Sequence, residues 1–272
     1  MAFASRSLAE MATDIFFDQY HRSKFGIDKR MKKNYSHLRY GSCIFIHGKG
    51  EREEVKTSEV PEKEEGNIRL VFISDIHSTM NSLDETNVPD GDVLIIAGDL
   101  AMTSIRFSDG YCYRHYSEFN KWLERLPHSE KLIIGGNHDG YLEKIGVEEA
   151  RKLLSAGTYL EDSGVELFGL KFWGSPVSWG SSPNRAFQSD PESRLAKIEK
   201  CDVLITHEPC SHYTPELCAV VEDMKPMVHV AGHVHYLYGS QYKDGTMYIN
   251  ASSLDNKYSP INLTQVMDIP SG

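Results

Sequence analysis

A largely parallel α/β fold is the architecture this 272-residue sequence encodes. Short runs rich in Val, Ile and Leu recur at Leu70–Ile73, Val93–Ala97, Leu132–Ile134, Val203–Ile205 and Val228–Ala231. Most are continuous in apolar residues instead of alternating, the pattern of strands covered on both faces, as parallel strands are. Helical segments lie between them, so strand and helix alternate. Each run also delivers polar residues at its C-terminal end, where open α/β sheets bind ligands.

Taken in chain order, the elements place a consistent chemistry. Asp75 and His77 follow the first run; residues two apart on an extended chain point the same way and can share one ion. Gly98-Asp99 closes the second run, and glycine lets the backbone turn sharply at the strand's mouth. Phe119, Trp122, Leu123 and Leu126 mark one face of a helix over Glu118–Leu126. The third run ends in Gly135-Gly136-Asn137-His138-Asp139. Residues 174–189, rich in Gly, Ser and Pro, read as a long loop behind Trp173. Trp173, Trp179 and Phe187 there either anchor the loop in the core or stack on a base, and Arg185 could meet a phosphate. Ser189-Asp190-Pro191-Glu192 starts a helix leading into Leu195 and Ile198. His207 ends the fourth run and Gly232-His233-Val234-His235 the fifth. Lys243-Asp244-Gly245-Thr246 then turns a hairpin between Tyr236–Tyr242 and Met247–Ala251. His115, His128, His212 and His229 read as packing histidines.

Asp75, His77, Asp99, Asn137, His207, His233 and His235 thus form a mixed oxygen and nitrogen donor set that suits two divalent cations. Such a pair implies displacement at phosphorus or at a carbonyl.

The series Asp75-x-His77, Gly98-Asp99, Gly136-Asn137-His138-Asp139, His207 and Gly232-His233-x-His235 resembles the calcineurin-like metallophosphoesterases over roughly residues 68 to 250. The resemblance implies a four-layer αββα sandwich of two mixed β-sheets flanked by helices, with a dinuclear centre at the strand ends. It further implies that Asp75, His77 and His235 hold one metal, that Asn137, His207 and His233 hold the other, and that Asp99 bridges them. Trp173-Gly174-Ser175-Pro176, Thr206-His207 and Tyr248-Ile249-Asn250-Ala251-Ser252 look most like the small, brain-type metallophosphoesterase-domain proteins, a group associated with cyclic-nucleotide phosphodiesterase activity. Leu100-Ala101-Met102 after Asp99 differs from the usual polar continuation; the chain also lacks the Asp-Arg-Gly sequel to Gly-Asp and carries Asp139 where Ser/Thr protein phosphatases have Glu, which argues against that branch.

Those residues support hydrolysis of a small phosphodiester, for which a 3',5'-cyclic nucleotide is the expected substrate. Two cations sharing one carboxylate can acidify a water to hydroxide near neutrality. His138, beside Asn137 but outside the ligand set, is the expected general acid, and Asp139 could orient its ring. The donor set accepts Mn²⁺, Fe, Zn²⁺ or Co²⁺, with Mn²⁺ the expected pair. The alternatives are a phosphomonoesterase or nuclease with the same centre, or a binding protein with residual activity.

Net charge of −10, from 29 basic and 39 acidic residues, disfavours an extended nucleic-acid surface. No apolar run reaches membrane-span length. Cys43, Cys112, Cys201, Cys210 and Cys218 show no CxxC pairing and read as free thiols, hence a cytoplasmic expectation. Residues 1–66 are expected to be an N-terminal extension to a domain over 67–272. It comprises an amphipathic helix opened by the Ser7-Leu8-Ala9-Glu10 capping box, a basic patch from Arg22 to Lys33, and a charged linker over 50–66.

Overall fold

Strand pairing sorts the apolar runs into two sheets. In the first, β3 (Asn67–Ile73), β4 (Val93–Ala97) and β5 (Glu130–Ile134) run parallel, and the short β6 (Thr158–Tyr159) extends them. On the other flank β13 (Gln265–Pro270) is antiparallel to β3, β1 (Ser42–Ile46) is parallel to β13, and β2 (Arg52–Lys56) is antiparallel to β1 at the edge. The second sheet has the order β11-β12-β10-β9-β8-β7, from β7 (Ser163–Leu167), β8 (Leu170–Ser175), β9 (Val203–Thr206), β10 (Val228–Ala231), β11 (Gly239–Lys243) and β12 (Thr246–Asn250). This computed structural model describes residues 41–83, 86–103, 107–180, 184–211 and 213–272.

Burial explains why the strands are apolar throughout. Leu70, Phe72, Val93, Ile95, Leu132 and Ile134 face Phe172, Val203, Ile205, Val228 and Val230 across the gap between the sheets. The alternate residues Val71, Ile73, Leu94, Ile96 and Ile133 pack outward beneath α1 (Asp109–Arg125), α2 (Gly140–Ile145) and α3 (Val147–Leu153). Trp173 and Leu204, on the far side of the second sheet, meet Leu195 of α4 (Pro191–Lys197) and Leu217 and Val221 of α5 (Pro215–Met224). Helix, sheet, sheet and helix make the four layers expected from the resemblance.

Local signals place most boundaries. Asp190 caps α4, its carboxylate accepting from the Ser193 N–H at 3.0 Å. Asp244 and Gly245 take left-handed φ values of 52° and 97°, as a two-residue hairpin turn between β11 and β12 demands. The helix expected over 118–126 begins earlier: Ser108 caps it through the Tyr111 N–H, and the added turns bury Tyr111, Cys112 and Tyr116. The strand expected from Tyr236 begins at Gly239, because His235–Leu237 winds into a 3-10 turn.

Two expectations need correction. The charged stretch 50–66 is not a linker throughout: Arg52–Lys56 pairs along its whole length with β1, which is itself joined to β13. One continuous sheet therefore crosses the boundary expected at residue 66. An edge strand with one solvated flank tolerates charge, and only Val55 within it packs against the core. Nor do all five cysteines stay out of disulfides: Cys210 and Cys218 form one across the turn leading into α5, with Cα atoms 4.9 Å apart, while Cys43, Cys112 and Cys201 are buried thiols outside it. That bond removes the inference from free thiols to a reducing compartment. Among the described residues no helix is long and apolar enough to cross a membrane. The helix and basic patch expected before residue 41, and His212, lie outside the described residues.

Candidate metal centre

The polar residues that end β3, β4, β5, β9 and β10 converge at one edge of the sandwich. The segments after β3 and β4 run alongside each other beyond the sheet: the Asp75, His77 and Ser78 N–H groups donate to the carbonyls of Gly98, Asp99 and Leu100 at 3.0, 3.0 and 3.1 Å. Asp75, His77, Asp99 and His233 all have left-handed φ, from 45° to 62°, a conformation uncommon for residues with a side chain. Backbone held this way at a cluster of charged groups is characteristic of functional sites. Glycine makes the approach possible: a Cβ on Gly98 (φ 94°) would stand 2.5 Å from His207 Nδ1.

All seven expected ligands meet here. His235 Nε2 lies 3.3 Å from Asp75 Oδ1, and His77 Nε2 lies 3.9 Å from the same oxygen. Across the cluster, Asn137 Oδ1 is 3.1 Å from His207 Nε2 and 2.9 Å from His233 Nδ1. Asp99 stands between: its Oδ2 is 3.5 Å from His77 Nε2 and 3.4 Å from His207 Nε2. Asp75, His77, Asp99, Asn137 and His207 are all at most 3 % exposed.

Three imidazoles are aimed by their outer nitrogens. His207 Nδ1–H donates to the Ala97 carbonyl at 2.8 Å, His233 Nε2–H to Trp179 at 3.0 Å, and His235 Nδ1–H to Asp255 at 2.9 Å. Each bond fixes the tautomer and turns the free nitrogen inward, as metal-binding histidines require. Sequence supplied no signal for these partners, since any residue carries a carbonyl. Nearby polar side chains are engaged otherwise: Thr206 bonds His229 at 2.8 Å, Asp109 pairs with Lys144, and Glu208 approaches His233 Nε2 at 3.5 Å while accepting from the Trp179 N–H. Burial pushes Glu208 up to about 7.

The donor set fits divalent cations on its own evidence. Among the described residues neither ring nitrogen of His77 finds a hydrogen-bond partner, although both are buried. Burial pushes this imidazole down to about 3, so it is neutral, with Nε2 directed between two carboxylates. An orphan of this kind is what a cation satisfies. Burial opposes charge on His207 and His235, yet Asp99 holds His207 up at about 10 and Asp75 holds His235 up at about 9. Burial likewise favours neutral carboxyls, but these imidazoles keep Asp75 and Asp99 well below the usual carboxylate range. Without cations, protons on the histidines supply the positive charge the carboxylates demand.

The supporting groups include several the sequence did not reveal. Asp75 accepts from Ser252 Oγ at 2.7 Å and from the His233 N–H. Asn250 Nδ2 donates to the carbonyls of Gly232 and Val234, bracing the loop of His233 and His235. Tyr258 sets its ring 5.1 Å from that of His77 and 5.2 Å from that of His235. Ser252 and Asn250 sit where β12 ends, so the strand-end rule that found the ligands could have found them.

His138 donates its backbone N–H to Asp99 Oδ1 at 2.8 Å and sets its half-buried ring edge-on to His77, 4.7 Å between centroids. Burial pushes its imidazole below the ordinary range. The neighbour expected to orient that ring is engaged elsewhere. Asp139 accepts from the N–H groups of Leu100, Ala101 and Gly136 and from the Tyr116 hydroxyl, which ties the loop after β4 to the loop after β5. Burial, reinforced by Asp99, raises Asp139 to about 7. Of the loop aromatics, Trp173 and Phe187 are core residues, and Trp179 packs partly against the α4–α5 cluster.

Comparison with known proteins accords with this geometry. Residues 68–237 match the calcineurin-like phosphoesterase family. A Caenorhabditis elegans UPF0046 protein is 33 % identical over 245 residues, covering 76 % of this chain and 82 % of its own. Human metallophosphoesterase domain-containing protein 1 is 31 % identical over 249 residues, covering 77 % and 73 %. A solved Streptococcus pneumoniae structure described as a predicted phosphoesterase aligns over 76 % of this chain and 85 % of its own, at TM-score 0.38 and 14 % identity. Family match and converging ligands agree: this chain belongs to the calcineurin-like phosphoesterases, metal-dependent hydrolases of phosphoric esters.

Proposed function

We propose that the protein is a phosphodiesterase acting on small phosphodiesters, 3',5'-cyclic nucleotides foremost, with His138 as general acid. The observation that carries this reading is the placement of His138, a half-buried imidazole against the ligand cluster with its main chain bonded to Asp99. The alkoxide that leaves an unactivated ester needs a proton, which His138 is placed to give; the preference for a diester over a monoester rests on the likeness of Trp173-Gly174-Ser175-Pro176, Thr206-His207 and Tyr248-Ile249-Asn250-Ala251-Ser252 to the brain-type group. Asp75, His77 and His235 would hold one cation, Asn137, His207 and His233 the other, and Asp99 both; Mn²⁺ is the ion we favour for this donor set. A divalent pair supplies an acidified water and neutralises phosphate oxygens when bound.

The chain's own contribution is positional. His207, His233 and His235 are held by carbonyls, so their inward nitrogens need no reorganisation as substrate arrives. His138 delivers its proton to the departing oxygen as the P–O bond breaks.

The test compares the protein with an Asn137→Ala variant, each with Mn²⁺, on cyclic nucleotides, an aryl phosphodiester and an aryl monophosphate. Diester turnover at least tenfold above monoester turnover is expected, and a loss of 10²-fold or more in the variant. Equal turnover by the two proteins would sink the metal-centre reading, and monoester preference would sink the diesterase reading.

A further inference from the structure

The Asp139 carboxylate is taken up by Leu100, Ala101, Gly136 and Tyr116, yet a general acid must be held in place to within a few tenths of an ångström. The segment that meets His138 instead is the latter part of the long loop over 174–189, from Asn184 onward. Asn184 Nδ2 lies 3.1 Å from His138 Nδ1 and 3.4 Å from its Nε2, so the amide rests against the imidazole instead of lining up with one nitrogen. Two main-chain bonds fasten the same segment to the neighbouring metal ligand. Asn137 Nδ2 donates to the Asn184 carbonyl at 3.0 Å, and the Ala186 N–H donates to the Asn137 carbonyl at 3.2 Å. A little further on, the Phe187 N–H donates to Glu143 Oε1 at 2.8 Å.

These contacts divide into two tasks. The Asn184 carbonyl takes the Asn137 amide nitrogen and thereby turns Oδ1 toward His207 and His233; any residue at 184 can do that, because the bond is to main chain. The Asn184 side chain touches the imidazole of His138, and that task belongs to asparagine. Its Nδ2 group can only donate, so it meets the nearer ring nitrogen, Nδ1, through that atom's lone pair and fixes the ring while leaving Nε2 to carry the proton.

We propose that Asn184 is the positioning residue of His138, its side-chain amide fixing the imidazole against the metal centre. The inference rests on the general-acid reading of His138 for its kinetic signature, but not for its existence. Positioning an acid matters most when the leaving group is basic. An alkyl diester, or a cyclic nucleotide, departs as a poor leaving group and depends on the acid; p-nitrophenolate does not.

The experiment measures kcat and KM for Asn184→Ala, Asn184→Leu, His138→Ala and the double variant His138→Ala/Asn184→Ala, on a cyclic nucleotide and on bis-p-nitrophenyl phosphate, with metal content per chain. Leu keeps the branching of Asn at Cγ without its polar atoms and guards against collapse of the segment. Both Asn184 variants should retain the parent's metal content. They should lose tenfold or more in kcat on the cyclic nucleotide, with KM within threefold, and less than threefold on the aryl diester. In the His138→Ala background the Asn184 change should cost nothing further, because its effect passes through the missing ring. Equal losses on the two substrates, a rise confined to KM, or additive effects in the double variant would overturn the proposal. If His138→Ala itself fails to discriminate the substrates, the general-acid reading falls, while the double-variant comparison still decides whether Asn184 acts through His138.

Discussion

A buried imidazole without a partner is a cost unless something else satisfies it, and His77 is such a residue. Truncation of His77 should be nearly neutral without metal and costly with it. Without cations, His77→Ala removes two unsatisfied nitrogens, each costing about 1–3 kcal/mol, and loses packing of similar size, so stability should stay within about 1–2 kcal/mol of the parent. With Mn²⁺, the variant should forfeit most of the stabilisation the parent gains, about 2.7 kcal/mol when metal is a hundredfold above its Kd. Denaturant unfolding in chelator and in Mn²⁺ measures both; a variant that keeps the parent's full Mn²⁺ gain would show that His77 is no ligand. Seven of the site's side chains were readable before folding because carboxylates, imidazoles and an amide at strand ends are chemically distinctive. Asn184 was not, for it looked like one polar residue in a loop, and its meaning lies in a contact 46 positions away.

At the scale of elements, the apolar runs were legible because burial on both faces leaves no alternation to interpret. The strand Arg52–Lys56 was not, because four of its five residues are charged and only Val55 faces inward. The start of α1 was missed for a different reason: its first turns present tyrosines, whose helix propensity is unremarkable, and the deciding signal was the Ser108 cap. The connection between α1 and β5 carries a pH dependence that can be derived. His128 is 3 % exposed, donates Nε2–H to the Pro89 carbonyl at 3.0 Å, and is pushed by burial down to about 4 from 6.5. Between those values the unfolded chain binds a proton that the folded chain refuses. The stability this neutral residue contributes is therefore whole above pH 6.5 and lost as pH falls toward 4, at most about 3 kcal/mol. His128→Gln, which keeps a donor but cannot titrate, should flatten the stability curve by one proton over that window. Urea unfolding of both proteins from pH 4 to 7 tests it, and parallel curves would refute it.

For the whole molecule, the decisive question is where the folding unit starts. Charge patterning put a boundary near residue 66, because a polar, acidic stretch has little to bury. Sheet pairing overrides composition. Cys43, Phe45 and Ile46 of β1 are all at most 6 % exposed, Cys43 and Phe45 packing beneath α1 and Ile46 joining the core between the sheets. β1 also covers the edge of β13, whose Val266 and Met267 belong to those same two cores. No stretch around 42–46 could announce this, since its partner lies more than 200 residues later and pairs through register Ile44 to Gln265. Consider two shortened chains, one beginning at residue 41 and one at residue 67. The second loses burial of three apolar side chains, about 1.5–3 kcal/mol each for the larger two, against a total stability on the order of 5–15 kcal/mol. It also exposes an unpaired edge on β13 in the middle of the former sheet, a template for association. All seven expected ligands and His138 remain in both chains, so a difference between them reports the fold and not the chemistry. The chain from residue 41 should be soluble, unfold cooperatively and bind two Mn²⁺ per molecule. The chain from residue 67 should aggregate, or unfold at a Tm lower by at least about 10 °C, as a loss of several kcal/mol implies. Gel filtration and thermal unfolding of the pair decide the matter: a soluble, equally stable chain from residue 67 would restore the boundary that composition suggested.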